Sequence, residues 1–194
     1  MAVVTAMNGA ALHAFIKQRL KPGESLYGVV DAARDNALAF AASTRFGWPI
    51  RWLFSEDTHQ QMKDVAPYLV PIPFEPVYPY RDSGYLDLWA DHLWGNAGIL
   101  VLSSADVDAL WKHLNGIFEV TEGEGVRYYF RFYDPRVLRE ILPGCTGDHV
   151  KQQFGPMSQV LVEAEAMGCM LTCRPAGGEV EVVESLLTVD TTGA

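Results

Sequence analysis

The chain has 194 residues, a length that suits one compact domain with room for a smaller C-terminal lobe. Hydrophobic residues make up 49% and charged residues 20%, which is enough apolar surface to bury a core and excludes disorder as the default. A formal charge of -9 opposes the attraction to phosphates and anionic lipids, so nucleic acid is not an expected partner.

The three cysteines, Cys145, Cys169 and Cys173, form neither a close CxxC pair nor a disulfide framework, which fits a reduced cytoplasm. The first twenty residues place His13 and Lys17 inside their apolar pattern, so they are expected to form a helix and not a signal peptide. No segment reaches about 18 uninterrupted apolar residues, and membrane insertion is not expected.

Leu12, Phe15, Ile16 and Leu20 recur at helical spacing, and Pro22-Gly23 ends the pattern. Residues 26–31 (LYGVVD) have strand composition and precede an alanine-rich helix over 36–46. A further apolar patch at 50–54 leads to a short helix starting at Ser55, Asp57 or Thr58 and stopped by Pro67. Residues 68–73 have strand composition, but Pro71 and Pro73 lack ladder donors and place the run at a sheet edge or beyond a strand end. Residues 74–84 are expected to be an ordered loop.

Leu86, Trp89, Ala90 and Leu93 share one helical face over 85–94, and Gly95-Asn96 terminates it. Residues 98–102 (GILVL) are a buried strand, followed by a helix opened at Ser103, Ser104 or Asp106 that carries Val107, Leu110, Trp111 and Leu114. Runs 117–121 and 126–133 flank the turn EGEG and predict a hairpin. Asp134 as N-cap and Pro135 in the first turn predict a helix to Leu142, and another helix spans 148–154. Apolar patches near 160–162 and 170–172 are expected strands, and from Pro175 the chain is acidic and free of basic residues. The expected fold is α/β or mixed α+β, with a central sheet of strand-helix units and one hairpin flanked by helices.

Several motifs occur in a fixed order: LYGVVDAARD (26–35), WLF (52–54), DVAPYLV (64–70), Trp94-Gly95, GILVLS (98–103), FRFYDPRVL (130–138) and FGP (154–156). In that order they resemble the type VI secretion adaptor or chaperone family, long classified as a domain of unknown function. The resemblance covers residues 24–165 of a domain expected over 1–165, and leaves 166–194 as an extension formed of strand or ordered by a partner. The resemblance implies two partners, a toxic effector and the valine-glycine-repeat spike protein VgrG, with no enzymatic activity and no cofactor or metal. It also implies structural or partner-binding roles for Tyr27, Asp31, Pro67, Tyr68, Leu69, Trp94, Gly95, Phe130, Arg131, Phe132, Tyr133, Asp134, Pro135 and Arg136.

The residues can also be read by their chemistry. In an extended run, Tyr129, Phe130, Phe132 and Tyr133 would set aromatics around Arg131 on alternating faces, with Arg131 a forked donor. Arg131 then either clamps a partner's carboxylate or pairs internally with Asp31 or Asp134, and the frequency of strand-end ion networks favours the internal pair. Asp31 and Asp35 sit at a strand end where a metal or phosphoryl site is conceivable, but capping and pairing are the commoner uses of such acids. The five histidines lack zinc or HExxH spacing, Asp91-His92 lacks a nucleophile, and Gly123-Glu124-Gly125 belongs to a hairpin and not to a phosphate cradle. Trp89 and Trp111 have core spacing, whereas Trp48 and Trp52, beside a proline and a loop, are the expected exposed partner contacts. An immunity protein that neutralises a basic toxin, or a small metal-dependent hydrolase or phosphotransferase using Asp31 and Asp35, stand as alternatives.

Overall fold

The computed structural model describes residues 9–54, 62, 64–74, 84–122 and 126–188. Its sheet strands are β1 (Ser25–Asp31), β2 (Arg51–Trp52), β3 (Pro67–Ile72), β4 (Gly98–Ser103), β7 (Met157–Glu163), β8 (Cys169–Ala176) and β9 (Glu179–Leu186), with a separate hairpin of β5 (Glu119–Glu122) and β6 (Val126–Tyr129). The helices are α1 (Gly9–Lys17), α2 (Ala37–Phe40, continued by a π-helical turn Ala41–Arg45), α3 (Tyr85–His92), α4 (Val107–Phe118), α5 (Pro135–Ile141) and α6 (Asp148–Phe154). The helix start expected at Ser55 to Thr58 lies outside the described residues, as does most of the loop expected over 74–84.

The seven strands run in the order β2-β3-β1-β4-β7-β8-β9, and every neighbouring pair is antiparallel. The architecture is therefore mixed α+β. Helices α4, α5 and α6 cover one face, where Val29, Val101 and Val162 pack with Leu110, Leu114, Leu138 and Phe154. Helices α1, α2 and α3 cover the other, where Val30, Leu100 and Leu161 pack with Leu12, Ile16, Leu38 and Trp89. Because both faces are covered, β4 is buried at every residue and β1 at all but its first. That is why both are nearly continuous apolar runs where a one-sided strand would alternate. Gly28 makes the second layer possible at one point: a Cβ there would stand 2.5 Å from the Trp89 ring.

Asp106 caps α4 by accepting from the Ala109 N–H at 2.8 Å, and Asp134 caps α5 with Pro135 in its first turn, as their residue types predict. Three expectations need correction. Helix α4 runs through Phe118, because Leu110, Leu114 and Phe118 form one buried helical stripe, so residues 117 and 118 are not hairpin strand. The second arm ends at Tyr129, and Asp134 donates its N–H to the Arg131 carbonyl at 3.0 Å, making residues 131–134 a turn. The turn sends the successive residues Phe132 and Tyr133 into the same core, which an extended strand could not do. Finally, β3 is not the outermost strand, yet β2 reaches only Leu69 and Tyr68, so Pro71 lies where no donor is needed on that side, and Pro73 lies beyond the strand end as expected.

Candidate functional site: the motif-bearing end of the sheet

Antiparallel pairing sets the end of β1, the starts of β3 and β4 and the end of β7 side by side. Asp31 faces Pro67, Val30 faces Tyr68 and Gly98, and Asp31 donates its N–H to the Ala97 carbonyl at 2.7 Å. The turn before α5 and the loop after α3 converge on the same end. Motif residues from five separate stretches of sequence thus become neighbours.

Asp31 is fully buried. Its Oδ1 accepts the Ala33 N–H at 3.1 Å and its Oδ2 accepts Arg131 Nη2 at 2.7 Å. Asp134, also buried, accepts the Arg136 N–H and Nε at 3.0 Å each through Oδ1, and Arg136 Nη2 at 2.6 Å through Oδ2. Arg131 Nη2 lies 3.7 Å from that same Oδ2, so Arg131 spans two buried carboxylates. Its guanidinium also lies 5.6 Å over the Tyr133 ring. Of the two readings of Arg131, the internal pair is the one observed. The Arg131 and Arg136 side chains remain 43% and 47% exposed, so this end shows guanidinium to solvent above hidden carboxylates.

The electrostatics follow. Burial would push the Asp134 carboxyl up, but the bonds from Arg136 and the charges of Arg136 and Arg131 outweigh it and hold the group below its ordinary value. Burial and the Asp31 charge push the Tyr133 phenol up, against the opposing effect of Arg131.

The sequence alone does not single out Glu163. It is buried at the end of β7, accepting the Trp94 N–H through Oε2 and the Asn96 N–H through Oε1 at 3.1 Å. Trp94 and Asn96 adopt left-handed φ values of 62° and 56°, which point both N–H groups at one carboxylate. Trp94 adds an indole N–H bond to the Ala164 carbonyl at 3.1 Å, and Arg139 donates to the Glu163 carbonyl at 2.9 Å. Burial pushes the Glu163 carboxyl up despite the two N–H donors and the Arg139 charge. The signal in the sequence was a lone acid closing the apolar run MSQVLVE. The helix end expected at Gly95-Asn96 is displaced: α3 stops at His92, and the left-handed turns fall on Trp94 and Asn96 with Gly95 between them.

Residues 26–152, more than half of the chain, match the family described as Domain of unknown function (DUF4123). The chain belongs to that family. No curated protein and no solved structure matches it. The family match takes in Asp31, Trp94 and the whole 130–136 run, but ends before Glu163 and before FGP at 154–156.

Tyr27 and the FGP motif lie at the opposite end of the sheet. The Tyr27 hydroxyl donates to the Ala105 carbonyl at 2.8 Å, and the Pro156 carbonyl accepts from the Ser103 hydroxyl at 2.8 Å. Gly155, at φ +48°, lies against the His113 ring where a Cβ would collide. Leu69 is core. Phe130 is half-buried and lines a groove of about 620 Å³ with Ile117, Ile141, Cys145 and His149.

Trp48 corrects an expectation. It is half-buried, stacked on Phe46 at 5.0 Å and edge-on to Tyr85 at 4.9 Å, because the π-helical turn folds it back over the α3 face. Trp52 is exposed, and its carbonyl accepts the Trp111 indole N–H at 2.7 Å. Asp35 accepts the Ala37 N–H at 2.8 Å and pairs with His92, so each strand-end acid holds the main-chain N–H two residues on and pairs with a basic side chain. Asp91 is exposed on α3. Among the described residues, no three His, Cys, Asp or Glu side chains gather as a metal would require, and no helix is long and apolar enough to cross a membrane.

Proposed function

We propose that the chain is an adaptor that binds a toxic effector and couples it to the VgrG spike of a type VI secretion system. The observation that carries this reading is the convergence of residues from five of the seven ordered motifs on one sheet end, where Asp31 and Asp134 are committed to Arg131 and Arg136. A carboxylate held by a guanidinium is a poor general base, while a rigid, charged platform with outward guanidinium edges suits partner binding. The strongest motif, FRFYDPR at 130–136, is thereby explained as scaffold: Phe132 and Tyr133 anchor it in the core, and the two arginines tie it to β1 and α5. Family membership supports the reading by covering the same motifs. A cytoplasmic location before secretion follows from the same proposal.

The test is coexpression with the spike and effector encoded beside the chain. Copurification with both is expected, and capture of neither overturns the proposal. A toxicity-rescue assay separates it from an immunity role: an adaptor leaves effector toxicity intact, whereas rescue by this chain alone would identify an immunity protein.

A further inference from the structure

The two outer strands of the sheet are treated very differently. At one edge, β2 is two residues long, a length that offers a neighbouring chain little to pair with. At the other, β9 pairs with β8 without a register break from Cys169↔Leu186 to Ala176↔Glu179. Its sequence, EVEVVESL, has no proline, no lysine and no bulge, so the charges of its glutamates are its only guard in sequence. Residues 142–147 cover its beginning, through the Thr146↔Glu179 bridge, the Gly147 N–H bond to the Gly178 carbonyl at 2.7 Å and the helical turn Leu142–Gly144 that lies against the strand. From Val180 to Leu186, no described residue pairs with its outer side.

Charge says what would fit there. Glu179, Glu181 and Glu184 stand along the strand, and exposed Val182, Val183 and Leu186 lie between and beside them. Arg174 pairs with Glu181, but no described cation meets Glu179 or Glu184. The sequence holds no lysine or arginine after Arg174. We infer that the outer edge of β9 receives an extended basic segment of a partner protein as an eighth strand of the sheet. Main-chain hydrogen bonds to the unpaired side of Val180 through Leu186 provide the attachment, and lysine or arginine set opposite Glu184 on one face of the strand, or Glu181 on the other, selects the segment. A second copy of this chain fits worse. A second β9 brings three more glutamates and no lysine or arginine to the seam in any register, and the register that sets Val182 against Val183 opposes Glu181 to Glu184 at two places.

The inference goes beyond the adaptor reading, since it names the surface and the chemistry of a partner without saying which partner it is. The full chain is titrated with a synthetic peptide of alternating lysine and valine, and with its glutamate-valine counterpart, while amide hydrogen exchange is followed. Added protection over residues 180–186 is expected with the lysine peptide alone. The double variant Glu181→Lys, Glu184→Lys should lose little melting temperature, since the exposed Arg174–Glu181 pair contributes little, while weakening the lysine peptide about tenfold and accepting the glutamate peptide instead. Protection elsewhere or nowhere, an unchanged preference in the double variant, or a free chain already dimerised through β9 overturns the inference. If the spike and effector copurify equally with wild type and double variant, this edge is not the docking surface, though the adaptor reading survives. Peptide pairing without copurification by the wild type has the opposite meaning.

Discussion

The end of the sheet around Asp31 and the edge formed by β9 handle polar groups in opposite ways. At the first, two buried carboxylates are closed off by arginines, and Glu163 is held by two main-chain N–H groups, so the polar groups serve the fold. Along β9 the outer side of the main chain has no described strand partner beyond Glu179, and two glutamates face no described cation. The first region lies largely within the family match and the second wholly outside it. A family scaffold with a chain-specific edge follows: stability should concentrate in the first region and partner choice in the second.

The sharpest way to break that contrast is Arg131→Ala. It leaves Asp31 fully buried with only the Ala33 N–H as a recorded donor, and removing one partner of a buried pair costs roughly 3–5 kcal/mol. Arg131 is 43% exposed, so water entering the gap should bring the loss to the lower end, about 3 kcal/mol. Urea unfolding measures it, and a loss under about 1 kcal/mol would mean that the network is not structural. Glu163→Gln comes next: one amide NH2 must face a main-chain N–H of Trp94 or Asn96, leaving a buried donor unpaired. The expected cost is about 1–3 kcal/mol.

A smaller effect separates the two acids by pH. Asp134 has a folded pKa below its ordinary 3.8, so near that pH the unfolded chain binds more protons and stability rises with pH. Its contribution is complete above the unfolded value and drains away as pH falls through the folded one. Glu163 acts in the opposite sense: its folded pKa is raised above 4.5, and acidification relieves the cost of burying its charge. Asp134→Asn keeps an effective N-cap residue while removing the charge. It should therefore lose stability near neutral pH, and that deficit should shrink in urea titrations carried toward about pH 3. A deficit independent of pH would assign the whole effect to capping.

Periodicity, caps and breakers made most of the fold legible. The β1 and β4 runs, the Asp106 and Asp134 caps and the 148–154 helix need only local chemistry, and the structure reproduces them. The errors share a cause. The turn at 131–134 resembles strand because its aromatics are strand formers, and only the distant Asp31 reveals what Arg131 requires. A bulky residue such as Trp94 is not expected at positive φ, so its left-handed turn was invisible without Glu163, which lies 69 positions away. Trp48 was misplaced because a proline neighbour suggests exposure, whereas the π-helical turn folds the ring back. Asp31, Arg131, Asp134 and Arg136 could be named one by one from sequence and Glu163 could not, because the assembly of this end depends on antiparallel register.

The mildest prediction concerns Leu186, the most exposed apolar residue of β9 at 60%. If the edge exists for a partner and not for the fold, Leu186→Ser should change stability by no more than about 0.5 kcal/mol, as surface substitutions usually do. The same change removes apolar surface from the last turn of the ladder, so binding of the lysine-valine peptide should weaken by a few fold while its protection pattern over residues 180–186 persists. Thermal unfolding and peptide titration of the one variant read both quantities. A large stability loss with unchanged peptide binding would reverse the assignment and make β9 part of the scaffold, with partner choice residing elsewhere on the molecule.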